Sequence, residues 1–331
     1  MHDRITLRFL AAPTDETKDG SSIQAGRVLE WIDKAGFACA AGYSGRYCVT
    51  AYVGNVHFSQ PIRPGALVEA SARIIYTGRT SMHVLVTVES ANPRTGEFAL
   101  ATHCLLVFVA MDDDRKPVEI PQWRPRTRED EELSQDALER IEARKAIHHV
   151  TLAQTFSDEG TTPKLTLRFL ANPTDVNWGG NAHGGIVMRW LTECAQTLST
   201  SFVGQSTVCV YTGGVHFHGP VHIGDVVEVD GRIIHTGPHS VHISLRVRSA
   251  NPRDMKFRLT TRCTMIFVHV NELAMPARCL SWNSQAKKTG CWTLTPWTWL
   301  LVANASPTCR YPSGDRRRGG ARVAEVRHQS V

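Results

Sequence analysis

An aspartate, Asp33, stands inside GRVLEWIDKAGFACAAG, a run whose apolar residues cover nearly every face of a helix. A carboxylate there is costly unless it is hydrogen-bonded or lies at an interface, so Asp33 is either structurally bonded or a buried acid–base group. A second stretch, DVNWGGNAHGGIVMRWLTECAQ, offers Asn177, Asn181, His183 and the pair Gly184-Gly185 just ahead of another apolar helical run. Two glycines at a helix start serve close packing or capping. They also leave backbone N–H groups able to polarise a carbonyl and hold its developing negative charge. His183 fits a hydrogen-bonded structural histidine or a substrate contact better than a base.

The two stretches occupy corresponding places in a duplicated chain. TLRFLAAPTD at Thr6–Asp15 returns as TLRFLANPTD at Thr166–Asp175, an offset of 160. Past the helix start the offset is 159: VHF at Val56–Phe58 and Val215–Phe217, RIIYTG and RIIHTG from Arg73 and Arg232, SANPR from Ser90 and Ser249. Matches in constant order over so long a span mean that one fold was duplicated. Trp31 matches Trp190, which sets Thr192, a residue that cannot ionise, opposite Asp33. The copies have become complementary, the acid in one and the amide and backbone donors in the other.

Each copy reads as a short strand (about Thr6–Leu10), a Gly/Pro/Asp-rich loop, and a buried helix at about Gly26–Ala41. Four long strands follow, at about Tyr47–His57, Val68–Gly78, Met82–Asn92 and Phe98–Met111, broken at turn residues such as Pro64-Gly65 and Asn92-Pro93. One apolar helix beside such a sheet can be buried only if the sheet wraps it, so the fold class is α+β, two curved antiparallel sheets each around a central helix. The expected domains are 1–111, a charged linker 112–163 with a solvated helix, 164–275, and a basic tail 276–331 expected to be disordered.

The bulk numbers narrow the function. The net charge is +6, but the segment from Pro276 onward holds nine Lys/Arg against two acids. The body is therefore close to neutral, which argues against nucleic acid as a partner. Nine cysteines without CxxC spacing or a Cys/His zinc pattern predict buried thiols, with no disulfide framework and no metal. The start of the chain lacks an apolar leader, and the apolar stretch Cys291–Ala305 is interrupted by Pro296 and too short to span a bilayer. A cytoplasmic protein without a membrane span is expected.

AGRVLEWIDKAG, NWGGNAHGGIVMRW, the VHF tripeptides and TGRTSM resemble the acyl-CoA hydrolase (acyl-CoA thioesterase) family of the tandem double hot-dog type, over about residues 5–275. The resemblance implies that an Asn in the loop of one hot-dog unit faces an Asp in the helix of its neighbour. The family's spacing, counted back from Thr192, selects Asn177 rather than Asn181; counted back from Asp33 it reaches Lys18. One site, Asp33 with Asn177, would be complete. The pseudo-symmetric one, Thr192 with the Lys18 region, would be inactive, and Glu193 lies about 100° around the helix from Thr192. The implied reaction is thioester hydrolysis. Asp33 would be general base or nucleophile, Asn177 would orient water or the thioester, and the Gly185 N–H, with Gly184, would hold the oxyanion. Asn181 and His183 would line the substrate. Arg79, Thr80 and Ser81 would either meet the CoA phosphates or form a plain surface turn. No cofactor is implied, CoA being part of the substrate, and the family implies a homo-oligomer, a trimer of double hot-dog chains. A non-catalytic acyl-CoA-binding or regulatory protein is the other reading; a hydratase ranks last, because no Asp-x-x-x-x-His stands at a helix start.

Overall fold

The computed structural model describes residues 2–17, 20–153, 161–177 and 179–269. Lys18 and the expected tail, 276–331, lie outside the described residues. Repeat 1 runs β1 (Arg4–Leu10), α1 (Ala25–Ser44), β2 (Tyr47–Val53), β3 (Val56–His57), β4 (Leu67–Thr77), β5 (Ser81–Ala91) and β6 (Phe98–Met111). A long helix, α2 (Arg128–Ala153), leads to repeat 2: β7 (Lys164–Leu170), α3 (Gly184–Val203), β8 (Thr207–Thr212), β9 (Val215–Phe217), β10 (Val226–Thr236), β11 (Ser240–Ala250) and β12 (Arg258–His269). The order repeats as expected, helix first and long strands after.

Strand alternation decides which face meets the helix. In β4, Val68, Ala70, Ala72 and Ile74 are buried toward α1, whose Leu29, Trp31 and Ile32 are fully enclosed. Both helices stop at a glycine in the left-handed region, Gly45 (φ 65°) and Gly204 (φ 75°), a conformation that costs glycine nothing. All the strand pairs are antiparallel, and the two half-sheets join into one sheet of twelve strands, wrapped around the two helices as the hot-dog resemblance implies.

The junction differs from the sequence expectation. The strand expected over Tyr47–His57 breaks at Gly54, where a Cβ would lie 2.9 Å from the Leu105 carbonyl oxygen. There the chain leaves β6 and crosses to the other repeat. Val53 pairs with Val215 and Tyr52 with His216, while Val56 pairs with Thr212 and His57 with Tyr211. Adding 159 to one member of each set generates the other set, so a pseudo-two-fold axis passes between them. Two aromatic pairs mark it, Tyr52 with His216 at 4.8 Å and His57 with Tyr211 at 4.9 Å.

The linker helix also departs from expectation. Rather than standing free in solvent, α2 lies on the outer face of the repeat 1 sheet and buries Asp130, Leu133 and Ala137. Arg4 donates to Asp130 (3.3 Å) and Arg73 to Glu129 (2.6 Å). Two ion pairs thus join a few buried apolar residues in seating the helix.

The helix-to-sheet fit yields a first prediction. A Cβ at Gly36 of α1 would lie 2.8 Å from the Phe108 ring of β6. Gly36→Val should cost about 1–3 kcal/mol of stability in denaturant unfolding through overpacking. Phe108→Leu in the same chain should recover part of that loss; simple additivity of the two losses would assign the cost elsewhere.

Candidate active site

The two central helices approach closely where each carries a glycine. A Cβ at Gly185 would lie 2.8 Å from the Cα of Glu30, and one at the matching Gly26 would lie 3.1 Å from the Cα of Arg189. This approach aims the N-terminus of α3 at Asp33, which is 1% exposed. Thr50 Oγ1 of β2 donates to Asp33 Oδ1 (2.8 Å) and the Gly185 N–H donates to Oδ2 (2.6 Å). His183 Nδ1 stands 2.8 Å from the same Oδ2. Convergent donors and the positive end of a helix offset the cost of burying a carboxyl group.

His183 is the N-cap of α3, and its Nδ1 is also 3.2 Å from the Gly185 nitrogen. One ring nitrogen cannot donate to Asp33 and accept from Gly185 at once. Protonated at Nδ1, it donates to the carboxylate and leaves the Gly185 N–H wholly to Oδ2. Burial pulls the imidazole pKa down, but the charge and hydrogen bond of Asp33 outweigh it and hold the group above its ordinary value. Phe37, one turn beyond Asp33, meets the His183 ring edge-on at 6.2 Å and the Tyr47 ring at 6.5 Å.

Several sequence expectations change here. The Gly185 N–H, expected to hold an oxyanion, holds the Asp33 carboxylate. The Gly184 N–H donates to no described residue, and a Cβ on Gly184 would sit 3.0 Å from Asp33 Oδ2 and 3.1 Å from Thr50 Oγ1. Glycine at this position lets the first turn of α3 lie directly against the carboxylate and the Thr50 hydroxyl. His183, expected to line the substrate, is instead the direct partner of Asp33. Asn181 is buried with its Oδ1 2.8 Å from His222 Nδ1, so it fastens its own loop rather than reaching a substrate.

Asn177 is brought to the site's rim. Its Oδ1 accepts from the N–H groups of Gly179 (2.8 Å) and Asn181 (3.1 Å), which turns the NH2 end toward the Tyr47 phenol. The loop is fastened to repeat 1: Gly179 packs directly on the Tyr47 ring, and Arg115 donates to the Gly179 carbonyl (2.9 Å). Burial pushes the Tyr47 phenol up, opposed by the amides of Asn177 and Asn181 that face it. Arg79, Thr80 and Ser81 are not brought to Asp33. Arg79 pairs with the exposed Glu119 (3.5 Å), and the carbonyls of Arg79 and Thr80 accept from Ile120 and Ala110.

Four contributors were missed: Thr50, Phe37, Tyr47 and Glu30. At the 159 offset the first three stand opposite Cys209, Gln196 and Ser206, so comparison of the copies beyond the helix start would have marked them. Glu30 is a second buried acid of α1. Burial alone would raise its carboxyl, but hydrogen bonds from Lys34 (2.6 Å) and Arg27 (2.7 Å) hold it below the usual range. Its charge is neutralised within its own helix.

The pseudo-symmetric position keeps the packing and drops the chemistry. Thr192 donates to the Met188 carbonyl of its own helix (2.9 Å), and Gln24, in the place of His183, donates to the Glu16 carbonyl (2.9 Å). Ala25 replaces Gly184 and Cys209 replaces Thr50. Glu193 is exposed and pairs with Arg189 (3.5 Å).

Two wrapped helices, one sheet and one buried acid between the copies define a double hot-dog protein. The chain belongs to the thioesterase superfamily, whose family model matches residues 23–97 and 179–256, one segment in each repeat. The cytosolic acyl coenzyme A thioester hydrolase of Homo sapiens is 24% identical over 275 residues, 78% of this chain and 72% of the relative. An uncharacterized acyl-CoA thioester hydrolase of Bacillus subtilis is 33% identical over 130 residues, 39% of this chain and 76% of the relative. A solved structure assigned as an oleoyl thioesterase of Lactobacillus plantarum shares the fold, with a TM-score of 0.56 at 13% identity over 81% of this chain and 97% of that one. No helix among the described residues is long and apolar enough to cross a membrane.

The pairing of His183 with Asp33 has a pH signature. A histidine whose folded-state pKa is raised adds stability that is fully present below the unfolded value, about 6.5, and fades as pH rises through the folded value. The melting-temperature gap between the parent and His183→Gln should therefore be widest near pH 5.5–6 and narrow toward pH 9, both values being about the limits of a practical scan. A gap that widened with pH would contradict the pairing.

Proposed function

We propose that the chain hydrolyses acyl-CoA thioesters at one composite site, formed by α1 and β2 of repeat 1 with the loop and α3 start of repeat 2. The observation that carries this reading is the buried carboxylate of Asp33, held by Thr50 of its own repeat and by donors at the N-terminus of the other repeat's helix. A water beside the carboxylate gives a proton to Asp33 while its oxygen bonds to the thioester carbonyl carbon. The carbonyl π electrons move onto oxygen, where the Gly184 N–H is the donor at hand, and Asn177, whose amide faces Tyr47, orients the water or the thioester. When the C–S bond breaks, the sulfur takes the bonding pair and the proton returned by Asp33, giving CoA and the free acid. The Gly185 N–H and His183 keep the Asp33 carboxyl fixed between turnovers.

Direct attack by Asp33 on the carbonyl carbon, with a transient anhydride that water then cleaves, is the other route open to the same carboxylate. The reaction needs neither metal nor cofactor. A cytoplasmic location is in keeping with the cytosolic relative from Homo sapiens. Assembly into trimers of chains, and the domain limits 1–111 and 164–275, belong to the same reading.

Thiol release from a panel of acyl-CoAs tests it. Asp33→Asn should lower kcat by about 10²–10⁴-fold. Asn177→Ala should lower it too, whereas Thr192→Val should leave turnover unchanged. Tight binding of acyl-CoA by the parent with no thiol released would establish the non-catalytic alternative instead.

A further inference from the structure

The loop that carries Asn177 is seated on repeat 1 at two points, which come from neighbouring strand ends. Tyr47 opens β2 and pairs with Met111, the last residue of β6, beyond which the chain turns through Asp112–Lys116. Arg115 in that turn holds a left-handed φ of 61°, uncommon for a residue with a side chain, and its guanidinium donates to the Gly179 carbonyl (2.9 Å). A Cβ on Gly179 would lie 2.4 Å from the Tyr47 hydroxyl oxygen, so it takes a glycine to bring the loop down onto the ring. Phe37 meets the same ring edge-on at 6.5 Å and the His183 ring at 6.2 Å, which links the partner of Asp33 to the seat of the Asn177 loop.

The Asn177 amide is constrained at both ends. Its oxygen is taken by the backbone of its own loop, and its NH2 end faces the Tyr47 phenol. The Tyr47 hydroxyl is enclosed, yet it closes no hydrogen bond among the described residues. Hydrogen bonds at a free site are often long or poorly aligned and tighten only when substrate is bound. An amide NH2 carries two hydrogens, so committing one of them to the Tyr47 oxygen sets the direction of the other. We propose that Tyr47 is a positioning residue for the reaction: with substrate bound, its hydroxyl accepts one N–H of Asn177 and thereby points the second N–H at the water or the thioester. The inference rests on the reading that Asn177 orients one of these. Ser206, which has no ring, stands at the matching place in repeat 2, on the side where Thr192 replaces the acid. The tyrosine is thus found only where there is an amide and an acid to serve.

Tyr47→Phe in the full chain tests this, because it keeps the ring against Gly179 and Phe37 and removes the hydroxyl alone. Thiol release from a panel running from acetyl-CoA to palmitoyl-CoA should show kcat lowered about tenfold with KM little changed, the mark of a misdirected group rather than a lost binding contact. The melting temperature should hold or rise, since an enclosed hydroxyl without a partner does not stabilise the fold. A double-mutant cycle separates positioning from an independent contribution. With Asn177→Ala already in place, or Asn177→Asp, which keeps the oxygen that the loop backbone uses, Tyr47→Phe should cost no further turnover. A Tyr47→Phe chain with the parent's kcat, or one whose loss is as large in the Asn177 variants as in the parent, would overturn the inference and leave the proposed hydrolysis standing. An Asn177→Ala chain with the parent's turnover, or a parent that releases no thiol from any of the acyl-CoAs, would overturn the reading beneath it and the inference together.

Discussion

A carboxylate buried to 1% exposure in the middle of an apolar helix is the constraint on which this structure turns. Left without partners it would cost several kcal/mol, and no donor on its own helix offsets it. Two of the donors that do, Gly185 and His183, belong to the other repeat. Reaching them requires helices in backbone contact, hence Gly26 and Gly185 at the crossing. Holding two helices that close requires sheets that do not drift apart, hence the strands exchanged at Tyr52–His57. Fold and site are thus answers to one electrostatic requirement.

The pseudo-symmetric position shows what happens when that requirement is lifted. With Thr192 in place of the acid, the side chain satisfies itself on Met188, and nothing across the interface has to answer it. The cap can then be Gln24, the glycine can be Ala25, and the strand hydroxyl can become Cys209. What survives is Gly26, because backbone contact between the helices serves both sides equally. Losing one charge released a whole set of polar residues while the packing around them stayed fixed.

Much of this was legible in the residues. Strand alternation, turn residues and the repeat placed the elements to within a few positions, and the departure of Thr192 from Asp33 singled out the acid. What stayed hidden depends on distances across the interface. No local pattern says that the Gly185 N–H is spent on Asp33, or that Asn181 is spent on His222. The break at Gly54 is set by the crossing to β8, so the alternating run Tyr47–His57 reads as a single strand. The inner face of α2 escaped notice because Asp130 is buried against Arg4, a contact that a search for apolar stripes passes over.

The sheet that runs unbroken through both repeats also settles how the halves find each other. Val53 and Val215 meet across about 160 residues of chain, so the closing pairs form late, after each half has gathered its own local strands. Were the halves separate molecules, like could pair with like: two acid-bearing halves would leave each carboxylate with only its own Thr50 as donor, and two donor-bearing halves would have no acid at the crossing. Joining them through α2 raises the effective concentration of the unlike partner far above that of any copy arriving from solution. The tether makes it safe for the two halves to differ.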